Sequence, residues 1–143
     1  MRFFEVEGDT PKLILAQFLK EQNIPDEYVE YEVIDEGSKG LFGLGKKNAK
    51  IKIKYNDIEH IKRKSRMILS DTLEKAGFND VHISTEINNN KIILNIESDY
   101  TELLIGKHAQ TLDAIQYLMD KMIKLDENSE LSVVVDVASY RQR

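Results

Sequence analysis

Leu104-Ile105-Gly106-Lys107-His108-Ala109-Gln110-Thr111-Leu112-Asp113-Ala114-Ile115-Gln116-Tyr117-Leu118 is the stretch on which the fold turns. A hydrophobic run stops at Gly106, the basic pair Lys107-His108 follows, and a new amphipathic helix begins. This pattern suits two helices joined by a tight turn that approaches a phosphate backbone. Glycine removes the Cβ that would hold a strand of nucleic acid away, and the free amides at the next helix start favour an anion. Lys107 adds a positive charge at the same place.

Working outward, the apolar spacing of Ile58, Ile61, Ile68, Leu69, Leu73 and Ala76 predicts a helix over 57–76, with Gly77 as its stop. Strands are expected over 81–87 and 91–97, joined by Asn88-Asn89-Asn90, residues that tolerate the left-handed backbone of a tight hairpin. A short helix near 101–105 leads into the Gly106 turn. The helix after it, over 110–124, is expected to bury Leu112, Ile115, Leu118, Met119 and Met122. The run Val133-Val134-Val135 within 131–137 predicts a closing strand in a central or well-covered position. The order α-β-β-α-α-β is that of the type II KH fold. Residues 106–109 are similar to the KH Gly-x-x-Gly loop, which clamps about four nucleotides of single-stranded backbone. One departure stands out: the fourth position is Ala109.

The first part of the chain reads as a separate small domain. Residues 3–7 predict a strand, and Thr10-Pro11 a helix start, with threonine as N-cap and proline at the first helical position. Leu13, Ile14, Leu15, Ala16, Phe18 and Leu19 give that helix a wide apolar face, and Asn23-Ile24-Pro25 ends it. Charge is then sorted along the chain. Residues 26–36 hold six acids and no base, and residues 37–54 hold six lysines and no acid. The alternation in Val29-Glu30-Tyr31-Glu32-Val33 and in Ala49-Lys50-Ile51-Lys52-Ile53-Lys54-Tyr55 has the period of half-buried strands. Antiparallel pairing sets Glu30 and Glu32 opposite lysines on the wet face, each pair worth about 0.2–1 kcal/mol. That makes the lysine run a salt-bridged hairpin face first, and a nucleic-acid or protein contact only second. The fold class is therefore α+β. A small β-α-β-β domain over 1–55 precedes an α-β-β-α-α-β domain over 56–143, with Asn56-Asp57 as the expected boundary.

Composition narrows the functional classes. The 143 residues are 41% hydrophobic and 31% charged, with no cysteine, so disulfides, thiolate metal sites and cysteine nucleophiles are excluded. No apolar run approaches a membrane span, and residues 1–5 lack the apolar centre of a signal peptide, so a cytoplasmic protein is expected. The formal net charge of −5 disfavours a broad basic field. Any nucleic-acid site must be local.

Two segments carry a family resemblance. Gly37-Ser38-Lys39-Gly40-Leu41-Phe42-Gly43-Leu44-Gly45-Lys46-Lys47 is similar to the glycine-rich signature of the Jag N-terminal domain. Leu104-Ile105-Gly106-Lys107-His108 and Thr111-Leu112-Asp113-Ala114-Ile115-Gln116-Tyr117-Leu118 are similar to the Jag KH segment. The chain thus resembles the Jag (KhpB/EloR) family of bacterial RNA-binding proteins across nearly its whole length. The resemblance implies single-stranded RNA as ligand and no cofactor. As protein partners it implies a smaller KH protein (KhpA-like) or a second copy, and association with the membrane insertase YidC. It also implies a role in control of cell elongation. The family usually continues into a C-terminal domain named for an Arg-x-x-x-His motif. Tyr140-Arg141-Gln142-Arg143 resembles the entrance to that domain, which is expected to be absent from this chain.

The residues expected to bind RNA are Ile105, Gly106, Lys107, His108, Ala109, Thr111 and Leu112. The amides of 106–109 and the Lys107 ammonium hold phosphates in this scheme, His108 stacks or donates, and Ile105, Leu112 and strand residues 92–96 form an apolar groove for bases. A possible protein-contact loop comprises Leu41, Phe42, Leu44, Lys46 and Lys47, whose apolar members either fold back on the small sheet or form an exposed tip. Gly40 to Lys46 fits the Gly-x-x-x-x-Gly-Lys spacing, yet Lys47 replaces the Ser/Thr that would hold magnesium, and a strand pattern follows instead of a helix. His60, His82 and His108 fall on different elements and suggest neither a metal site nor catalysis. Asp113 and Asp120, seven apart on one helix, are read as facing water. No enzyme is expected. The two functional classes left are a single-stranded RNA-binding regulator and a protein-interaction adaptor with weak or lost RNA binding, which the net charge and Ala109 favour.

Overall fold

The computed structural model describes residues 1–42 and 44–142. The chain divides into two compact units, Met1–Glu59 and His60–Arg143.

In the first unit, β1 (Arg2–Gly8) is followed by α1 (Pro11–Gln22), β2 (Val29–Asp35) and β3 (Ala49–Tyr55), the expected β-α-β-β order. The Thr10 hydroxyl accepts the Leu13 N–H, Pro11 occupies the first helical position, and Asn23 closes the helix in the left-handed conformation at φ 54°. The sheet order is β1-β3-β2, fully antiparallel. Glu30 faces Lys54 and Glu32 faces Lys52, the register the sequence suggests, but among the described residues neither pair closes to an ion pair, and Lys52 lies over the Phe3 ring instead. On the other face, Ala49, Ile51 and Ile53 are buried beneath Ile14 and Phe18 of α1. The Phe4 and Phe18 rings lie 4.9 Å apart. Asn56 Oδ1 accepts the Glu59 N–H, so the expected boundary pair serves as the start of the next helix.

That helix, α2 (Asp57–Lys75), contains the point at which the two units divide. In the second unit it is followed by β4 (His82–Asn88), β5 (Lys91–Glu97), α3 (Thr101–Ile105), α4 (Gln110–Met122) and β6 (Ser132–Val137). The order α-β-β-α-α-β is the expected one and is compatible with a KH-like fold. β4 pairs antiparallel and β6 parallel with β5, which is the central strand. Asn89, in the hairpin between β4 and β5, sits at φ 56°. The Val133–Val135 run is thus on an edge strand, although a well-covered one. The Gln116 side chain of α4 donates to the Val133 carbonyl (2.9 Å) and accepts the Val135 N–H (2.7 Å), capping the outer edge that a fourth strand would otherwise use. Ile92, Leu94 and Ile96 of β5 pack with Val133, Val135 and Val137, and Leu69, Leu73, Leu104, Leu112 and Met119 complete the core. Leu118 and Met122, expected inside, are about half exposed instead, because the inward stripe of α4 is the narrower set Leu112, Ile115 and Met119. Among the described residues, no helix is long and apolar enough to cross a membrane.

Candidate nucleic-acid interface

The turn at residues 105–109 is built by backbone geometry before any side chain is considered. Gly106 caps α3 at φ 76° and ψ 174°, with its N–H on the Glu102 carbonyl. His108 (φ 54°, ψ 31°) and Ala109 (φ 60°, ψ 23°) are then both left-handed, and α4 starts at the next residue. A Cβ on Gly106 would lie 2.9 Å from both the nitrogen and the Cβ of Thr111. The close neighbour that requires glycine is therefore the protein's own helix start. An internal requirement thus stands beside the expected approach of an external strand: any side chain at Gly106 pushes the turn off α4.

Around this turn the expected residues separate into two groups. Lys107 and His108 are exposed, while Ile105, Ala109 and Thr111 are partly covered. Lys107 has no ion-pair partner among the described residues. Leu112 is 0% exposed and belongs to the core, as do Ile92, Leu94 and Ile96. The expected apolar groove of Leu112 and residues 92–96 is thus corrected, because these side chains hold the two helices to the sheet and present no surface. The exposed apolar groups next to the turn are Leu103 of α3 and Tyr100 just before it, neither marked by any motif.

Electrostatically, α4 is 13 residues long with its N-terminus at the turn, so its positive dipole end favours an anion there. Of the amides expected to hold phosphate, those of Gly106 and Ala109 already donate to the Glu102 and Gly106 carbonyls, and the Gln110 N–H that follows donates to the Lys107 carbonyl. One acid, Asp113, sits in that first turn. It faces water as expected, and in addition its Oδ1 accepts from the Arg141 guanidinium at 2.9 Å. Asp120 accepts from the Gln116 amide at 2.8 Å. Sequence spacing gave no sign of the Arg141 contact, which spans 28 residues.

The glycine-rich stretch forms an arm between β2 and β3. Isolated bridges join Ser38 to Lys47 and Leu41 to Leu44. Gly43 and the terminal Arg143, both in quoted motifs, lie outside the described residues. Gly37 and Gly40 have φ of 76° and 74° with backbone atoms where a Cβ would stand, so each is required by the arm's path. At the root, Asp35 accepts from Lys47 Nζ (2.6 Å) and from the Gly37 N–H (2.9 Å). The Lys47 hydrogen bond, and then the Gly37 one, hold the Asp35 carboxyl below the usual aspartate range, while the bond to Asp35 raises the Lys47 ammonium. Lys46 approaches Asp9 at 3.3 Å. Leu41, Phe42 and Leu44 are 74%, 97% and 77% exposed. Of the two expectations for them, folding back on the sheet is overturned and the exposed tip remains. β3, with no helix, follows the arm, which leaves the nucleotide-binding spacing without its structural context. Among the described residues, no group of three or more His, Asp or Glu is placed to hold a metal ion.

Comparison with known proteins bears on both units. Residues 6–55 match the family described as the Jag N-terminus. Across the chain's full length it is 29% identical to the RNA-binding protein KhpB of Clostridium symbiosum, over 145 residues and 64% of that relative. It is 31% identical to the RNA-binding protein KhpB of Bacillus subtilis (strain 168), over 124 residues, covering 86% of this chain and 58% of that relative. The chain therefore spans about three-fifths of the length of the curated relatives it matches.

Proposed function

The chain belongs to the Jag family, and on that premise we propose that it is a regulatory protein that binds single-stranded RNA through a KH-type turn at residues 105–109 and the start of α4. The observation that carries this reading is the turn itself. A glycine and two left-handed residues deliver the chain directly into an amphipathic helix, with an exposed, unpaired lysine at the corner. The matched relatives are named RNA-binding protein KhpB, which supplies the ligand class. Binding involves no chemistry and no cofactor. The positive end of the α4 dipole and the Lys107 ammonium hold successive phosphates. His108 stacks on a base or donates to it. Ile105 supplies the half-buried apolar contact, Thr111 seats Gly106, and Leu112 anchors the helix from the core.

The test is fluorescence anisotropy with short single-stranded RNAs. Gly106→Asp is a blunt probe, because the structure requires glycine there for internal reasons. Lys107→Glu is sharper, since Lys107 is exposed and makes no contact that holds the fold. Loss of a charged hydrogen bond is worth about 1.5–3 kcal/mol, so affinity falls more than about tenfold. A folded Lys107→Glu variant with unchanged affinity would overturn the proposal.

The exposed apolar tip of the arm favours a second reading alongside the first. In it, the first unit is an adaptor that docks a protein partner through Leu41, Phe42 and Leu44, with Lys46 and Lys47 at the rim. For the corresponding cellular role we infer, from the family resemblance alone, a cytoplasmic protein linked to the membrane insertase, to a KhpA-like KH protein or a second copy, and to control of cell elongation. The half-exposed Leu118 and Met122, with Tyr117, are the α4 surface open to such a KH-type contact. If a Phe42→Glu variant recovers the same cross-linked partners as the wild type, the docking arm is excluded.

A further inference from the structure

Arg141 lies outside every motif that defines the turn, yet the fold ties it down with unusual thoroughness. After β6 the backbone passes through two consecutive left-handed residues, Ala138 (φ 48°) and Ser139 (φ 56°). The turn is hydrogen-bonded at Ala138, Ser139 and Arg141. The Ala138 N–H donates to the Ile96 carbonyl (2.9 Å), and the Ser139 N–H to Asn95 Oδ1 (2.9 Å). The Arg141 N–H donates to both carboxylate oxygens of Asp136 (3.0 and 3.2 Å). Asp136 is 1% exposed and also accepts the Val137 N–H at 2.8 Å. A buried carboxylate given over to backbone amides fixes the path of the turn, and the path delivers the Arg141 guanidinium to Asp113, 2.9 Å away.

Asp113 is the one acid in the first turn of α4. Helical residues rise about 1.5 Å each and their side chains lean toward the N-terminus. Its carboxylate therefore stands well within a Debye length, about 8 Å at physiological salt, of the amides and Lys107 that would meet a phosphate. Uncovered, it would repel RNA from that end of the site.

Resting on the RNA-binding reading above, we propose that Arg141 is a positioning residue that keeps the residue 105–109 site open to phosphate by neutralising Asp113, without itself touching RNA. The turn after β6 is in this sense part of the RNA site. An exposed ion pair of this kind ordinarily contributes little to stability. Its value here is electrostatic, and the anchored backbone reduces the entropy that Arg141 loses in forming it.

Anisotropy with short mixed-sequence single-stranded RNA tests this on the full chain, with four variants confirmed folded by circular dichroism. Arg141→Gln should bind about three- to fivefold more weakly, the effect of one exposed charge on nearby phosphates. Asp113→Asn should bind at least as tightly as wild type. The double variant Asp113→Asn/Arg141→Gln should return to wild-type affinity, a rescue that a merely structural role for Arg141 would not produce. A double variant as weak as Arg141→Gln overturns the proposal in favour of direct contact with RNA. An Arg141→Gln variant of wild-type affinity, while Lys107→Glu fails to bind, also overturns it and leaves the RNA site standing. If Lys107→Glu binds as the wild type does, the RNA site fails, and the proposal with it.

Discussion

Ala109→Gly separates the geometry of the turn from its chemistry. Ala109 occupies φ 60° and ψ 23° directly before α4, with no side-chain cap. A residue with a Cβ in that region costs roughly 1–2 kcal/mol relative to the right-handed one, and glycine is free of this cost. Glycine also gives the unfolded chain more freedom, which opposes the gain by about 0.4–1 kcal/mol. The balance is a stabilisation of about 0–1.6 kcal/mol, centred near 0.8. Urea unfolding followed residue by residue in NMR spectra reads the second unit separately from the first, so the midpoint for amides of β5 and α4 should rise while those of β1 and β3 stay put. Removing the methyl group also clears the approach to the turn, so RNA affinity should be equal or higher. In an ordinary right-handed helical position the same change destabilises by about 0.8–1 kcal/mol. A loss of that size would refute the left-handed turn and the site built on it.

Other outcomes follow from single contacts. Gln116→Leu leaves the Val135 N–H and the Val133 carbonyl without their partner. The change should cost about 1–3 kcal/mol, and amide exchange at Val135 should accelerate. Burial, and then the Asp57 charge, push the Tyr55 phenol up to about 12 from 10. Because the folded value is the higher one, Tyr55 contributes stability that is complete below pH 10 and is lost as pH rises toward about 12. Absorbance titration should show a tyrosine ionising in that range, missing in Tyr55→Phe. The depressed Asp35 carboxyl works in the opposite direction: its contribution is present above 3.8, the ordinary value, and disappears as pH falls through the lower folded value. The protection of the Gly37 amide, its exchange rate compared with the intrinsic rate at the same pH, should then fall in acid, and at neutral pH in Asp35→Ala.

Much of the fold was written in local chemistry. Thr10-Pro11 and Asn23 bracket α1 because capping is decided within a few residues. Glu30 and Glu32 meet Lys54 and Lys52 because a period-two pattern admits one register that keeps charges wet. What stayed hidden depends on partners distant in sequence. Val133-Val134-Val135 reads as a central or well-covered strand, and which of the two it is stays hidden, since apolar runs report burial and not strand order. The edge is closed by an amide from α4, which no strand pattern contains. Helical periodicity placed Leu112 beside the turn but could not tell a groove wall from a core residue, and Leu118 and Met122 erred in the other direction. Gly106 stands out in the sequence, but the internal reason for it does not: the neighbour that needs the space is Thr111, a partner visible only once the turn is folded. Arg141 and Asp113 meet only because a buried carboxylate bends the chain after β6.

The most direct measurement is a titration of the isotopically labelled chain with a short single-stranded RNA, followed by NMR chemical shifts of the backbone amides. An RNA site at the turn requires that the largest changes fall on residues 105–111, with smaller ones at Asp113 and Arg141. Changes centred on Lys50, Lys52 and Lys54 of β3, or none at saturating RNA, would contradict it.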